Sequence, residues 1–458
     1  MNEFLAIGLT ILVVAIAAYL IIKKVDSKMV FLFLGIATLL LITIITQESI
    51  AGDATTGNMF LDVFDVFRLK LKSTVSGVGI TLMTVAGYVM LMNHMKASNV
   101  LAAAAGKVLV KLKSPYVVLS AVFVLGSILK VFITSQISLG LLFMATLFPI
   151  LTQLGVSRLS AAAIMVTIGM LDMGPNDSSA IFGANEVMKV TPMEYFLNYE
   201  ILVGMCIVGV LAIVYPLYFK YLDKKENGGV DPVQAGEIKT FSPRDYGVPL
   251  FYGFFPVIPL LLVVVFSFIP SIKMDIITAN VIGFIIVFLI DLAVKRDVEV
   301  VSKNLQQVFI WMGNYFTNIV MIIVSAGVFA DAIKKLGGID IIAQKCSQLT
   351  GASLIAVIAL SVIVFGTALL TGSGNASWFA FGPLTPGIAE TLGTQTATFA
   401  VPMHLGSGIG RTLSPFCGGV IAISGVAEVD IYKLIKRNML PLTVAYIVNI
   451  IASYIIFI

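Results

Sequence analysis

The sequence predicts an all-α polytopic membrane protein built from two inverted repeats. Hydrophobic residues make up 59% of its 458 residues and charged residues only 12%, against roughly 45–50% and 25% in soluble domains. Two long apolar segments are each interrupted by glycine, proline and polar residues, at 172–179 and at 406–415. Because these interruptions occupy matching places in the two halves of the chain, they indicate a duplicated membrane unit with a binding site between its halves.

The first half, residues 1–221, is predicted to contain three spans, a re-entrant hairpin, a broken helix and a final span. The hairpin covers about 116–154, where two apolar arms flank the polar tip 134–138. Neither arm reaches the about 20 residues that a full crossing needs. The broken helix covers about 160–188. The spans are residues 4–22, 29–46, 74–95 and 195–221.

The second half, residues 248–458, repeats this plan after a charged stretch at 222–247 without apolar periodicity, which predicts a cytoplasmic linker. Its hairpin covers about 352–392 around the polar tip 371–375, and its broken helix covers about 396–427. The spans of this half are residues 248–269, 276–294, 308–330 and 438–458.

The two halves are expected to match in detail and to be oppositely oriented. Thr134 precedes Pro149, and Thr371 precedes Pro386, by the same fifteen residues. If both termini are periplasmic, nineteen of the 29 Lys and Arg residues fall on the cytoplasmic side and eight on the other, in agreement with the positive-inside rule. The second half then starts on the side opposite to the first, so the two hairpins enter from opposite faces and their tips meet near the midplane.

The tips and breaks are predicted to bind an anion. Helix N-termini exposed there carry partial positive charge and free amides, which suit carboxylate oxygens. An arginine at membrane depth, Arg411, costs about 2.5–3.5 kcal/mol and needs a partner; its planar guanidinium matches a carboxylate. The alternative is a kinked helix in which Arg411 pairs with a structural carboxylate. The predicted substrate-binding residues are Thr134, Ser135, Ser138, Asn176, Thr371, Ser373, Gly374, Asn375, Arg411, Thr412 and Ser414.

Two acids in the first break are candidates for binding a coupling proton or sodium ion. Asp172 and Asp177 lie at membrane depth, where an acid is a functional hypothesis by default, and Ser135 and Asn375 are predicted to take part. The alternative for each acid is a structural ion pair with a buried base.

The roles of the other polar residues at membrane depth stay open. Lys130 is expected to snorkel, to pair with an aspartate or to bind a second carboxylate. His404 is either packed or functional. Glu186 and Glu200 are expected to be solvated, because they fall near predicted span ends. Trp378 is as compatible with packing as with ligand contact.

Several other function classes are not supported. The formal net charge of +4 gives no indication of nucleic-acid binding. Three scattered cysteines, Cys206, Cys346 and Cys417, and only two histidines predict no cofactor and no metal beyond sodium ions at the hairpin tips. An enzyme is not predicted, since no nucleophile–base pair is recognisable. An ion channel is an alternative, although an arginine and acids at the midplane favour a closed binding site.

Four runs of residues carry a resemblance to a known family. They are 368–376 (ALLTGSGNA), 410–415 (GRTLSP), 142–149 (LFMATLFP) and 221–226 (YLDKKE). The chain resembles the anaerobic C4-dicarboxylate uptake C (DcuC) carriers of the ion transporter superfamily over nearly its whole length. The resemblance implies a scaffold plus a transport domain that moves as an elevator, a homodimer in the inner membrane of a bacterium, and succinate or fumarate as substrates. The first half departs from the expected pattern at 176–179, which reads Asn-Asp-Ser-Ser, and at Lys130.

The predicted function is secondary active transport of a small dicarboxylate by export or exchange. Moving one charge through 100 mV is worth about 2.3 kcal/mol, so entry of a dianion into a negative cell is opposed by about 4.6 kcal/mol. Uptake needs at least two co-transported protons or sodium ions to be neutral, whereas export needs none. The alternatives that keep the fold are a carrier of another carboxylate or amino-acid derivative, and a sodium/proton antiporter.

Overall fold

The computed structural model describes residues 2–23, 25–51, 55–109, 114–227, 243–267, 274–338, 341 and 351–458. These residues form helices and connecting loops, with no β-strand among them, so the all-helical prediction is confirmed. The predicted linker begins inside a helix that continues to Asn227, whereas its residues 228–242 lie outside the described residues, as does Cys346.

The described part of the first half contains twelve α-helices. They are α1 (Glu3–Ile22), α2 (Ser27–Thr46), α3 (Met59–Thr74), α4 (Ile80–His94), α5 (Ala97–Leu109), α6 (Pro115–Lys130), α7 (Gln136–Thr146), α8 (Phe148–Gln153), α9 (Arg158–Thr167), α10 (Ser178–Phe182), α11 (Pro192–Tyr195) and α12 (Ile201–Asn227). π-Helical turns at Val75–Gly79, Gly183–Met188 and Phe196–Glu200 join α3 to α4, extend α10 and lead into α12.

The described part of the second half contains ten. They are α13 (Ile258–Ser267), α14 (Ile276–Lys295), α15 (Val298–Tyr315), α16 (Met321–Leu336), α17 (Ala352–Thr371), α18 (Gly374–Phe381), α19 (Thr385–Leu392), α20 (Ala397–Thr412), α21 (Gly418–Ala427) and α22 (Ile431–Phe457). Short 3₁₀ segments occupy Pro243–Tyr246, Leu250–Val257 and Gly382–Leu384, and a π-helical turn at Phe316–Val320 joins α15 to α16.

Eight continuous helical stretches of the described residues are long and apolar enough to cross a bilayer. They are Glu3–Ile21, Ser27–Thr46, Met59–His94, Pro192–Glu226, Ile276–Lys295, Val298–Leu336, Ala352–Thr371 and Ile431–Phe457. Large apolar side chains lie on their outer surface; Phe309 and Ile455 are each more than 70% exposed. A surface of this kind suits lipid contact, and the protein is a multi-pass membrane protein.

The helices of the two halves pack together in three buried hydrophobic clusters. The first joins α6–α9 and α12 to α20–α22. The second joins α1–α4 and α16 to α17–α20, and the third holds α4, α5, α14 and α15 together with the 3₁₀ segment before α13. Because the first-half helices α7 and α9 pack against α20 and α21 of the second half, the two interrupted segments are brought into one region.

Helices end at both of the interrupted segments. Residues 168–177 separate α9 from α10, and residues 413–417 separate α20 from α21. The prediction that the helix is interrupted at 406–415 is wrong for residues 406–412, which continue α20. The glycines in this stretch allow close packing instead: a Cβ at Gly408 or Gly410 would lie 2.1 or 2.5 Å from a neighbouring backbone carbonyl oxygen. In the first of these breaks, Gly174 has a φ of +117°, a conformation that L side chains rarely adopt. The Asp177 carboxylate accepts a hydrogen bond from the Ser179 amide (2.9 Å) and so caps α10.

Candidate functional site

A cavity of about 320 Å³ lies where the two polar tips and the two helix breaks meet. The first half contributes Thr134, Ser135, Gln136, Ile137, Asp172, Asp177 and Ser178 to its wall. The second half contributes Gly372, Ser373, Gly374, Asn375, Arg411, Cys417, Gly418 and Gly419. The junction of α15 and α16 closes the remaining side with Tyr315, Asn318, Ile319 and Ile322.

Besides the five-residue α10, which starts at Ser178, three longer helices begin at the cavity wall. The Ser135 hydroxyl caps α7 by accepting from the Ser138 amide (3.2 Å), and the Ser373 hydroxyl caps α18 by accepting from the Ala376 amide (3.2 Å). The third helix, α21, begins at Gly418 without a side-chain cap. Each helix N-terminus carries roughly half a positive charge. The cavity is therefore lined by partial positive charge from both halves of the chain.

Four charged side chains form a buried network at one side of the cavity. The Lys130 ammonium lies 2.7 Å from Asp177 Oδ2 and 3.4 Å from Asp172 Oδ1. Arg411 Nη2 donates to Asp172 Oδ1 (2.9 Å) and to the Gly169 carbonyl (3.3 Å). Lys130 is only 1% exposed, so its stem packs in the protein while its charge meets two carboxylates. With all four groups charged, the network has no net charge.

Arg411 keeps unused donor capacity beside the cavity. Its side chain lines the cavity wall and is 15% exposed, while its Nε is buried and makes no hydrogen bond within the described part of the chain. Asp172 Oδ2 is likewise without a hydrogen bond there. The guanidinium can therefore bind an incoming carboxylate without releasing Asp172.

The tip of the second half docks on the helix that follows the first break. The Ser179 hydroxyl donates to Asn375 Oδ1 (2.6 Å), and Asn375 Nδ2 donates to the Ser178 hydroxyl (3.3 Å). Trp378 on α18 adds a hydrogen bond from its indole nitrogen to the Ser179 carbonyl (3.1 Å). These contacts tie the two halves together at the cavity.

The tip of the second half also lies against the second break, at Gly372. This glycine has a φ of +74°, and a Cβ added to it would lie 2.6 Å from the carbonyl carbon of Phe416 and 2.9 Å from the amide nitrogen of Cys417. Both atoms belong to the backbone, so no side-chain rotation can relieve the clash. Only glycine lets the tip and the break approach this closely.

We expect Gly372→Ala to impair transport far more than Gly351→Ala. Both glycines flank α17 in the left-handed conformation, with φ values of +74° and +79°, so both variants carry a similar backbone penalty of roughly 1–2 kcal/mol. A Cβ at Gly351 meets nothing within 4 Å. Exchange rates in proteoliposomes measure the difference, and equal rates for the two variants would show that the contact at Phe416 is not required.

The structure brings eight of the predicted site residues to the cavity wall and leaves five behind it. Those at the wall are Thr134, Ser135, Asp172, Asp177, Ser373, Gly374, Asn375 and Arg411. Those absent from the wall are Ser138, Asn176, Thr371, Thr412 and Ser414. Two of the five show why: the Thr371 hydroxyl donates to the Thr367 carbonyl (2.8 Å) and the Thr412 hydroxyl to the Gly408 carbonyl (2.8 Å). Each hydroxyl is engaged by the preceding turn of its own helix.

Sequence reasoning missed four polar residues of the wall, Gln136, Ser178, Tyr315 and Asn318. Gln136 donates from Nε2 to the Val166 carbonyl (3.1 Å) and to the Thr412 hydroxyl (3.3 Å), and so bridges the two halves. Its position inside the polar tip is a signal that could have found it. Tyr315 and Asn318 are polar residues at the α15–α16 junction, inside a span that otherwise reads as apolar.

The prediction for Glu200 is wrong. Glu200 was expected to be solvated, but it is fully buried and its Oε2 accepts a hydrogen bond from the Gly174 amide (2.9 Å). The π-helical turn that leads into α12 packs beneath the first break, so this span end lies inside the protein. Lys130 pairs with both aspartates rather than snorkelling. Glu186 is half-buried and lies 3.7 Å from the Lys189 ammonium.

The architecture belongs to a class of polytopic membrane folds that includes a solved transporter structure. The crystal structure of the Alcanivorax borkumensis YdaH transporter is similar in fold, with a TM-score of 0.67 over 93% of this chain and 97% of that chain, at 12% sequence identity. Eight candidate spans and a charged cavity between interrupted helices agree with that class.

Sequence comparison identifies the family. Residues 5–458 match the DcuC family, described as the C4-dicarboxylate anaerobic carrier. The probable anaerobic C4-dicarboxylate transporter DcuC of Vibrio cholerae is 30% identical over 444 residues, covering 96% of this chain and 95% of that protein. The anaerobic C4-dicarboxylate transporter DcuC of Escherichia coli is 29% identical over 451 residues, covering 98% and 96%. The chain belongs to the DcuC family of C4-dicarboxylate anaerobic carriers, and the resemblance found in its sequence runs is confirmed.

Proposed function

We propose that this protein is a secondary active transporter of C4-dicarboxylates of the succinate and fumarate class. The observation that carries the proposal is the convergence of three helix N-termini and the Arg411 guanidinium on one small cavity. A dicarboxylate has two separated negative groups, and the N-termini of α7 in the first half and of α18 and α21 in the second offer amides for both. Ligand pockets range from about 300 to 1,000 Å³, so a cavity of about 320 Å³ suits a small substrate.

The predicted residues are assigned roles on this basis. Arg411 and the tip residues at the cavity wall bind the substrate carboxylates; these tip residues are Thr134, Ser135, Ser373, Gly374 and Asn375. Asp172 and Asp177 hold the two buried cations in place and, with Ser135 and Asn375, form a place for a coupling proton or sodium ion. The network itself contributes no net charge, so the two substrate charges are balanced by the helix N-termini and by co-bound cations.

Export or exchange is the direction that charge favours. Entry of a dianion into a cell at −100 mV is opposed by about 4.6 kcal/mol, whereas its exit is helped and its exchange for another dianion is neutral. Uptake against the potential requires at least two cations for each substrate. We infer that the protein exports or exchanges dicarboxylates across the inner membrane.

The transport movement is proposed to be of the elevator type. The cavity wall at Tyr315–Ile322 belongs to the α15–α16 junction, while the tips and breaks belong to the hairpin-bearing helices α6–α9 and α17–α21. The site thus lies on a boundary between two groups of helices, where sliding of one group past the other exposes it to alternate sides. We propose residues 1–221 and 248–458 as inverted repeats, joined by a cytoplasmic linker at 222–247, with both termini periplasmic and with α1–α5 and α13–α16 as the scaffold of a homodimer.

Succinate counterflow tests the function. Purified protein is reconstituted into liposomes loaded with unlabelled succinate and diluted into trace labelled succinate. A carrier accumulates label transiently, because bound substrate is exchanged one for one. A channel gives no such overshoot, and an enzyme releases label in a new compound.

A competitor series defines the substrate class in the same assay. Fumarate and malate, each with two carboxylates, are expected to compete with labelled succinate. Propionate is the matched control, since it keeps one carboxylate and cannot occupy both halves of the site. Competition by propionate as strong as that by fumarate, or the absence of counterflow, would contradict the proposal.

A further inference from the structure

A second group of buried polar residues lies behind the first break and is not used by the proposed dicarboxylate site. Glu200, at the end of the turn before α12, faces His404 in the middle of α20, and both side chains are fully buried. His404 Nδ1 lies 3.3 Å from Glu200 Oε1 and 3.3 Å from the Tyr195 hydroxyl. The imidazole is stacked between the rings of Trp378 and Tyr195, with centroid distances of 5.3 and 5.9 Å. The ring is held rigidly against one carboxyl group.

Two atoms of this pair are buried without a hydrogen bond. Glu200 Oε1 and His404 Nε2 have no hydrogen-bond partner within the described part of the chain. Buried polar atoms are normally satisfied, and exceptions call for an explanation. An acid and an imidazole in contact, each with one polar atom left without a hydrogen bond, have the chemistry of a site that gains and loses a proton.

The pair is connected to the dicarboxylate cavity by two routes. Along α20, His404, Gly408 and Arg411 are spaced i, i+4 and i+7 and so share one face of the helix. Gly408 lets the first break approach that face: a Cβ there would lie 2.1 Å from the Met170 carbonyl oxygen and 3.3 Å from Asp172 Oδ2. The second route is the backbone of the first break.

The second route runs through Gly174. Its amide donates to Glu200 Oε2 (2.9 Å), and the same break carries both acids of the charged network. Charge on the pair and charge in the cavity therefore act on each other through a few buried contacts. The titratable groups that face the pair from the surrounding elements are Lys130, Asp172, Asp177, Tyr195 and Tyr199.

We propose that Glu200 and His404 form a proton-binding pair that takes up one proton with each dicarboxylate and releases it on the other side. The inference rests on the proposed function and adds a second coupling site, specific for a proton, to the cation site at Asp172 and Asp177. With one proton between them the carboxyl and the imidazole are neutral as a pair; with two protons they carry one positive charge. Asp172 and Asp177 are paired with the buried cations Lys130 and Arg411. Among the described residues, Glu200 and His404 form an ion pair only with each other.

Substrate charge supplies the coupling. A bound dianion adds two negative charges near a network whose own charges cancel, and this favours the doubly protonated pair. By linkage, the second proton raises the affinity for the dianion by the same factor. One proton per substrate supplies one of the two positive charges that neutral transport of a dianion requires.

Accumulation driven by a pH gradient tests the pair. The full chain is reconstituted, the membrane potential is clamped with valinomycin and equal potassium, and sodium is equal on both sides. A gradient of about one pH unit drives about tenfold accumulation for each coupled proton. We expect wild-type vesicles, acidic outside, to accumulate labelled succinate about tenfold. Glu200→Gln and His404→Gln vesicles are expected to show no accumulation, with exchange at equal pH measured in the same vesicles to report folding.

Glu194→Gln is the matched control, because Glu194 is an exposed acid six residues before Glu200. It is expected to accumulate succinate as the wild type does. Accumulation by Glu200→Gln equal to that of Glu194→Gln overturns the proton-binding pair. Wild-type exchange without pH-driven accumulation also overturns it while leaving the proposed function intact, whereas absence of wild-type exchange contradicts the function itself.

A milder variant covers the case in which neither substitution yields folded protein. Tyr195→Phe removes only the hydroxyl that lies 3.3 Å from His404 Nδ1. It is expected to shift the external pH at which accumulation is half-maximal, because a hydroxyl beside Nδ1 affects how readily the imidazole binds a proton. An unchanged pH profile overturns the assignment.

Discussion

Arg411→Ala is expected to reduce succinate exchange at least about 100-fold, which corresponds to about 2.7 kcal/mol. A hydrogen bond to a charged group is worth about 1.5–3 kcal/mol, and the variant loses such a bond to a substrate carboxylate. It also removes the guanidinium that lies 2.9 Å from Asp172, leaving that carboxylate beside the cavity with Lys130 as its remaining cation. The initial rate of counterflow measures the loss.

Two further variants separate substrate binding from charge balance. In Arg411→Ala combined with Asp172→Asn the network is neutral again, so recovery of exchange would show that Arg411 serves only to balance Asp172. We expect no recovery, because the substrate still lacks the guanidinium. Arg411→Lys keeps the charge but loses the planar fork, and we expect it to remain well below the wild type.

Arg158→Ala serves as the control for arginine removal. Arg158 donates to the Ala427 carbonyl (2.9 Å) on α21, but its side chain is 44% exposed and it is absent from the cavity wall. Exchange by this variant is expected to stay close to that of the wild type. Full exchange by Arg411→Ala would remove Arg411 from the binding site.

The approximate positions of the tips and breaks could be predicted because their residues are unfavourable in an uninterrupted helix in lipid. The second break is nevertheless shorter than predicted, since residues 406–412 are helical and only 413–417 separate α20 from α21. Glycine, proline and hydroxyl residues inside apolar segments leave backbone groups that only protein or water can satisfy. The tip residues Ser135 and Ser373 cap α7 and α18 for the same local reason, since each hydroxyl reaches an amide three residues later. Local chemistry was sufficient for this part of the site.

Partners distant in sequence could not be assigned in the same way. Lys130 and Asp177 are 47 residues apart, and the sequence left snorkelling, pairing with an aspartate and binding a second carboxylate all open for the lysine. The prediction for Glu200 failed because hydropathy indicates only where a span ends along the chain. Whether a residue at that end is buried depends on which other parts of the protein pack against it. Tyr315 and Asn318 line the cavity, but they were missed because the packing of neighbouring helices decides which face of a span lines a cavity. The sequence of the span alone does not show that face.

Lys130→Met is expected to destabilise the protein by about 3–5 kcal/mol, the cost of removing one partner from a buried ion pair. The ammonium lies 2.7 Å from Asp177 and 3.4 Å from Asp172, and all three groups are at most 5% exposed. Without it, two buried carboxylates share the single positive charge of Arg411. The melting temperature of the purified protein in detergent, read by loss of the monodisperse peak, measures the effect.

Lys130→Met combined with Asp177→Asn decides what the lysine does. Replacing both members of a buried pair is often nearly neutral for stability, so we expect the double variant to regain most of the lost melting temperature. Lys303→Met is the control, because the exposed Lys303–Glu299 pair is worth only about 0.3–0.5 kcal/mol. A double variant that is stable and exchanges succinate assigns Lys130 to charge balance alone. A stable double variant without exchange assigns its ammonium to the substrate, and a Lys130→Met protein as stable as Lys303→Met would contradict the buried pair.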